Sequence, residues 1–472
     1  MTPESSSTPQ ASAWQRTLAM FQYRHVALII FAWCALFFFS VMGAASGMLK
    51  PVAFGMASSV SSTFLPHDDD GRTNILLLGV GDKNHAGASL TDSIIIASIE
   101  PWTRSIVFLS LPRDLYLVDA PNMPDARINA FYANARNRFV QGGDTQSGAS
   151  LKALHATADE IGSRLGTDIH GVIKVDFTAF SEIIDAFGGV DIDVPVSLTD
   201  YTYPVEEGVI GTFSINAGPQ NLDGDTALKY ARSRHSTSDF DRSSRQQQIL
   251  TALLEKAKAQ NPLENLGLAR SVLRVIEKHA EWTFSSRDLV ALASAVLSVP
   301  QGNIITMHLT TAVGGDYSTA EAGGFVLPPA EDMGAGAILL PYSLTGKLSD
   351  WGQLRTFSRL LFARRSLFTE KPNIDIVADP KVSLQAHRLR NELLRNGFLV
   401  SGRAAVSTVS GSGELIISSR SPTSTFLSQY LGIPLSSSGS MPASSIRITL
   451  SKEYRFIPLE ETVNSYDFFS RR

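Results

Sequence analysis

Two neighbouring runs, SIIIASIE (93–100) and RSIVFLSL (104–111), constrain the fold more than any other feature of this chain. Both are rich in β-branched residues and almost continuously apolar. A strand with one wet face alternates apolar and polar residues, whereas a strand covered on both faces does not. Pro101, Trp102 and Thr103 separate the runs, so they read as an antiparallel hairpin. The expectation is an α/β fold, three-layer α/β/α, with helices on both faces of a central mixed sheet.

The rest of the chain supplies material for those layers. NILLLG (74–79) is a short apolar strand that runs into glycine. Leu151, Leu154, Ala158, Ile161 and Leu165 recur at helical spacing over 151–165, and a second helix is expected over 177–187, stopped by Gly188 and Gly189. VIKVDF and VDIDV (190–194) read as strands, and 195–225 as a long loop of polar and aromatic residues. This core is bounded at 73–262. Residues 263–370 add helices around 265–279 and 286–297, the strand NIITMHL and a Gly/Pro-rich stretch. Residues 371–456 read as a separate small α/β domain, with a helix at 383–396 followed by Gly397 and another near 423–431. Residues 457–472 form a tail.

The N-terminal part sets the compartment. From Val26 to Leu49 the chain has 24 positions without a charge. As a helix that run spans about 36 Å, enough for a hydrocarbon core of roughly 30 Å. A cleavable signal has a shorter apolar region, so a retained anchor is expected at 26–49. Arg16 and Arg24 precede the run and Asp68, Asp69 and Asp70 follow it. The positive-inside rule then gives a single-pass protein of the cytoplasmic membrane, N-terminus inside and 50–472 outside. Residues 1–25 read as a disordered head and 50–72 as a linker. Cys34 is the one cysteine of the chain, which excludes an intramolecular disulfide. A net charge of −4 argues against nucleic acid as a partner.

Positive charge is instead local. Arg232, Arg234, Arg242, Arg245 and Gln246 fall within fifteen positions. Arg242, Arg245 and Gln246 share a helix face, and Ile249, Leu250, Leu253 and Leu254 continue that face as an apolar stripe. The stripe faces a core, so the guanidinium groups are expected to point inward. Inward guanidinium groups call for anionic partners, and forked donors suit phosphate oxygens. The alternative is a solvated basic helix start paired with Asp239 and Asp241.

The hairpin adds carboxylates. Asp92 opens one strand and Arg113-Asp114 closes its partner, so the three belong at the sheet edge opposite the turn. The glycine-rich exit GVGDKNHAG brings Asp82 toward the same edge. Taken alone, Asp92 is equally a turn or capping residue. Carboxylates facing a phosphate site require a bridging cation, and oxygen-only ligands favour Mg²⁺ or Mn²⁺. The full G-x-x-x-x-G-K-[ST] phosphate loop is absent, as is a G-x-S-x-G nucleophile turn.

NILLLGVGD, LTDSIIIASIEP, IVFLSLPRDLYL, RINAFYANA, FGGVDIDVP, LDGDTALKYARSRH and DFDRSSRQQQ occur in this order over about 74–260. Together they resemble the LytR–CpsA–Psr family, and 371–456 resembles the LytR-type C-terminal domain. The resemblance implies an α/β/α core that holds a polyprenyl (di)phosphate lipid. It implies Mg²⁺-dependent transfer of a lipid-linked glycopolymer donor onto an envelope acceptor, typically peptidoglycan. On the matching positions it makes Asp92 the active-site aspartate near the metal and Arg113 a catalytic and diphosphate-binding arginine. Arg127, Arg232, Arg234, Arg242, Arg245 and Gln246 become diphosphate-binding residues, and Asp82 a second metal-linked carboxylate. Two positions depart from the family pattern: Gly81 is inserted before Asp82, and Arg127 stands where lysine is common. The rival expectations are a polyprenyl-diphosphate hydrolase using the same site and a non-catalytic lipid-sensing or regulatory envelope protein.

Overall fold

The strand Thr73–Val80 (β1) pairs antiparallel with Thr91–Glu100 (β2), which pairs antiparallel with Ser105–Leu111 (β3). This computed structural model describes residues 65–82, 89–206, 209–233, 239–260, 265–311, 320–402, 404–409 and 411–465. The head at 1–25 and the apolar run at 26–49 lie outside them. Among the described residues no helix is long and apolar enough to cross a membrane.

Two helices follow, Ile128–Gln141 (α1) and Gln146–Leu165 (α2), then the strand Gly171–Val175 (β4) and the helix Phe177–Ala186 (α3). The strands Val190–Val194 (β5), Leu198–Glu206 (β6), Val209–Ile215 (β7) and Gly218–Leu222 (β8) come next. Helices Gly224–Arg232 (α4), Asp239–Gln260 (α5) and Leu266–His279 (α6) lead into Ala280–Trp282 (β9), Ser286–Leu297 (α7) and Ile304–His308 (β10). The main sheet is mixed, in the order β9-β4-β1-β2-β3-β10. β4 runs parallel to β1 and β10 parallel to β3.

Alternation on the central strands divides the core between two faces. Leu76, Leu78, Ile94, Ile96, Val107 and Leu109 pack with Phe131 and Tyr132 of α1 and Leu154 and Ile161 of α2. Ile75, Ile95, Ile106 and Phe108 pack with Leu254 of α5 and Leu292 of α7. Burial on both faces is the reason neither hairpin strand alternates in sequence. The hairpin turn spans Pro101–Arg104, with Arg104 at φ 50° and its guanidinium donating to Ser298 O at 3.0 and 2.7 Å.

Residues 195–225 correct the expected loop. β6 and β7 form a hairpin there, and β8 pairs with β5. Asp200 and Thr202 interrupt the apolar alternation, which hid the period; Tyr203, Phe213 and Ile215 are the buried residues that anchor the hairpin. α2 starts before its apolar stripe, because Thr145 caps it by accepting from Gly148 N.

A second sheet has the order 399–400, 373–378, 445–450, 414–417, 435–437. Its Ile374, Ile376, Ile446 and Ile448 belong to the same apolar cluster as Leu76 and Leu109. Arg365, 7 % exposed, donates to Ser105 O and Ser98 Oγ, each at 2.8 Å, and so fastens the segment before this sheet to the β2–β3 hairpin.

Candidate active site

The β2–β3 register puts Ile94 opposite Leu111, so the residues just beyond meet at the open end of the pair. Arg113 Nη1 lies 3.2 Å from Asp92 Oδ1, and Arg113 Nε lies 3.4 Å from Asp114 Oδ2. A short ladder of Tyr116–Leu117 against Ala126–Arg127 then folds the chain back. It brings Arg127 Nη1 to 3.6 Å from Asp114 Oδ1, while Arg127 Nη2 donates to Ala335 O at 2.9 Å. The result is a row of alternating charges: Asp92, Arg113, Asp114, Arg127.

Asn129 locks the row. Its side-chain Nδ2 donates to Asp92 Oδ1 at 3.2 Å and its backbone N–H donates to Arg113 O at 3.3 Å. Thr91 Oγ1 in turn donates to Asn129 O at 3.1 Å. Asn129 is 4 % exposed, whereas the Asp92 side chain remains 44 % open. The carboxylate is therefore held from below and presented to solvent.

The arginine segment is docked on the same strand end. Gln246 Oε1 accepts from Ser93 Oγ at 3.0 Å, which ties the first turns of α5 to the residue after Asp92. Arg242 and Arg245 are 5 % and 7 % exposed, so this helix start is buried rather than solvated. Two of the partners of Arg245 are backbone carbonyls, which the sequence does not lead one to expect. Its Nε donates to Tyr230 O at 2.9 Å and its Nη2 to Ser233 O. These are carbonyls at the end of α4, which a helix terminus leaves without intrahelical donors. Inward guanidinium groups thus meet carbonyl oxygens as well as anions, and burial lowers the Arg245 pKa.

Arg232, the last residue of α4, is held by aromatic rings. Its guanidinium carbon sits 4.3 Å from the Phe177 ring centroid and 5.6 Å from that of Tyr203, and Nη1 donates to the Tyr203 hydroxyl at 3.2 Å. Burial raises the Tyr203 pKa against the opposing pull of Arg232, so the phenol stays neutral. Arg234 lies outside the described residues.

Asp82 is placed at the start of α3. Its Oδ1 accepts from Thr178 N at 3.1 Å, next to the Phe177 that carries Arg232. Among the described residues no three His, Cys, Asp or Glu side chains form a metal cage. The donor chemistry nevertheless suits a Mg²⁺ ion: that ion takes one or two protein carboxylates and completes its shell with substrate phosphates and water. The two donors reaching Asp92 both act on Oδ1, which leaves Oδ2 on the open side.

The sequence points to the charged residues and Gln246 but not to Ser93, Asn129, Tyr203 or Tyr230, and to Phe177 only as part of the apolar face of the 177–187 helix. Ser93 and Asn129 sit one and two residues from charges already chosen, in TDS and RIN. Phe177 and Tyr203 carried no such signal, because aromatic residues in a helix start and a strand are usually packing.

The class defined by this fold and site is a mixed α/β protein with a cluster of guanidinium groups and carboxylates at one end of its central strands. The chain belongs to the LytR_cpsA_psr family, whose model matches residues 36–326, more than half of its length. It is 30% identical over 244 residues to the polyisoprenyl-teichoic acid–peptidoglycan teichoic acid transferase TagV of Bacillus subtilis, which covers 50% of this chain and 56% of that protein. It is 34% identical over 191 residues to the regulatory protein MsrR of Staphylococcus aureus, covering 40% of this chain and 50% of that one. The chain thus spans about half the length of these curated relatives. The crystal structure of B. subtilis TagV aligns with a TM-score of 0.44 at 23% identity, over 62% of this chain and 97% of that chain.

Proposed function

We propose that this chain is a membrane-anchored phosphotransferase that moves a polyprenyl-diphosphate-linked glycopolymer onto a cell-wall acceptor such as peptidoglycan. The observation that carries the reading is the Asp92–Arg113–Asp114–Arg127 row, open to solvent at Asp92. The teichoic acid transferase activity for which the TagV relative is named supports the same class of reaction. The anchor rests on the uncharged run at 26–49, with the catalytic part outside the membrane.

In this mechanism Arg113, Arg127, Arg232, Arg234, Arg242, Arg245 and Gln246 bind the diphosphate. Asp92 and Asp82 would hold a Mg²⁺ or Mn²⁺ ion, which when bound neutralises non-bridging phosphate oxygens. An acceptor hydroxyl oxygen bonds to the phosphorus that bears the sugar. The bond from that phosphorus to the bridging oxygen breaks, and polyprenyl phosphate leaves with the bonding pair. The open oxygen of Asp92 either holds that metal ion or takes the hydroxyl proton. Charge stabilisation and positioning supply most of the acceleration, as in phosphoryl transfer generally.

The test is acceptor-dependent release of polyprenyl phosphate from a labelled polyprenyl-diphosphate glycan. Equal release without acceptor would mean a hydrolase. Lipid binding with no turnover would favour a regulatory role, the role for which the MsrR relative is named.

A further inference from the structure

One face of α5 carries the arginines; the opposite side lines a cavity of about 650 Å³. That volume falls within the range of ligand sites, roughly 300–1,000 Å³. The cavity runs along α5 between β5 and β10, and its lining includes Asp193, Gln248, Thr251, Glu255, Thr306 and His308. Its His308 end lies toward the end of β3 that leads to Arg113. Ser244, which lines it, lies between Arg242 and Arg245 on the helix, within about one 5.4 Å turn of both. His308 pairs with Ser110, three residues before Arg113. Ser110 Oγ accepts from Gln247 Nε2 at 2.8 Å, and Gln247 lines the cavity as well.

The charge balance separates this cavity from the arginine face. Of its three carboxylates, Asp191 lies 3.1 Å from Lys256 and Glu255 lies 2.6 Å from Lys258, which leaves Asp193 as the uncompensated charge. Burial lowers the His308 pKa, so the imidazole adds no charge near neutral pH. Among the described residues the exposed Asp193 carboxylate has no hydrogen-bond or ion-pair partner. A polyanion is repelled by such a lining. Carboxylates, amides, hydroxyls and a neutral imidazole together offer both acceptors and donors to vicinal hydroxyl groups.

We infer that the cavity beside α5 binds an uncharged saccharide chain and leads it to the Asp92–Arg113 row. This deepens the transferase reading and rests on it for the identity of the saccharide. The chain is either the acceptor glycan or the sugar segment next to the donor diphosphate.

The experiment is saturation-transfer NMR on the full chain with tetra-N-acetylchitotetraose, alongside titration with farnesyl diphosphate on the same samples. Chitotetraose binds the wild-type protein. Asp193→Ala and His308→Ala weaken it at least fivefold and leave farnesyl diphosphate binding within twofold. A glycerol-phosphate oligomer does not compete. Absence of saturation transfer at millimolar saccharide, equal binding by both variants, or displacement by the phosphate oligomer overturns the site. Saccharide binding without any farnesyl diphosphate binding sinks the transferase reading and leaves the cavity assignment standing. In turnover, a raised KM for the acceptor alone assigns the cavity to the acceptor glycan, and a raised KM for the donor alone assigns it to the donor sugar.

Discussion

Arg113 Nη1 and Asp92 Oδ1 stand 3.2 Å apart at the open end of the β2–β3 pair, with Asn129 Nδ2 at the same carboxylate oxygen. A guanidinium next to a half-exposed carboxylate is already paired before any substrate arrives. A diphosphate entering the site must compete for Arg113, and a cation must then compensate Asp92. Asp92→Asn and Arg113→Ala are therefore expected to lower transfer by about 10²–10³-fold. Because the Asp92 side chain is 44 % open, its variant should melt within roughly 2–4 °C of the wild type. Transfer kinetics and thermal melts check the pair of statements together.

Asn129 should behave differently. It touches Asp92 and Arg113 from beneath and is 4 % exposed, so it positions the site without facing the substrate. Asn129→Ala should lower kcat about tenfold with KM nearly unchanged. The variant keeps both backbone hydrogen bonds and loses one bond to a half-open carboxylate, so it should lose only about 1 kcal/mol of stability. Steady-state kinetics and urea denaturation give both numbers.

The Arg232 guanidinium is oriented by rings. A partly desolvated cation–π contact contributes roughly 0.5–2 kcal/mol. Phe177→Leu should weaken farnesyl diphosphate binding about three- to thirtyfold. Tyr203→Phe keeps the ring and loses only the hydroxyl acceptor, so it should weaken binding less than Phe177→Leu. Titration calorimetry on the two variants tests the order.

The layered fold was legible because the hairpin strands are too apolar to have a wet face, and because helical spacing marks α2, α3 and α5. The edge position of Asp92, Arg113 and Asp114 followed from antiparallel geometry alone. The β6–β7 hairpin was not legible, since Asp200 and Thr202 break the two-residue period that a strand needs. The carbonyl partners of Arg245 were equally hidden. They depend on where α4 ends relative to α5, a tertiary relation that no local pattern carries.

His170 gives the fold a pH dependence. Its Nδ1 accepts from Asn74 N at 3.0 Å, and burial lowers its pKa below the ordinary value near 6.5. The folded state therefore binds the proton less well than the unfolded state. The stability from this group is fully present above about pH 6.5 and is lost as pH falls from there through the folded pKa. His170→Asn offers the same backbone N–H an acceptor that does not titrate. Denaturant midpoints followed from about pH 7.5 down to 5 should slope less in this variant than in the wild type.

The central claim is that a carboxylate and a set of guanidinium groups hold a diphosphate only when a cation lies between them. Its most direct test is farnesyl diphosphate titration, with and without Mg²⁺, into wild-type protein and Asp92→Asn. Mg²⁺ should tighten wild-type binding at least about tenfold, or 1.4 kcal/mol, and barely change the variant. Without Mg²⁺ the variant should bind at least as tightly as the wild type, because a like charge has been removed. Equal Mg²⁺ response in both proteins, or no diphosphate binding by either, would contradict the account.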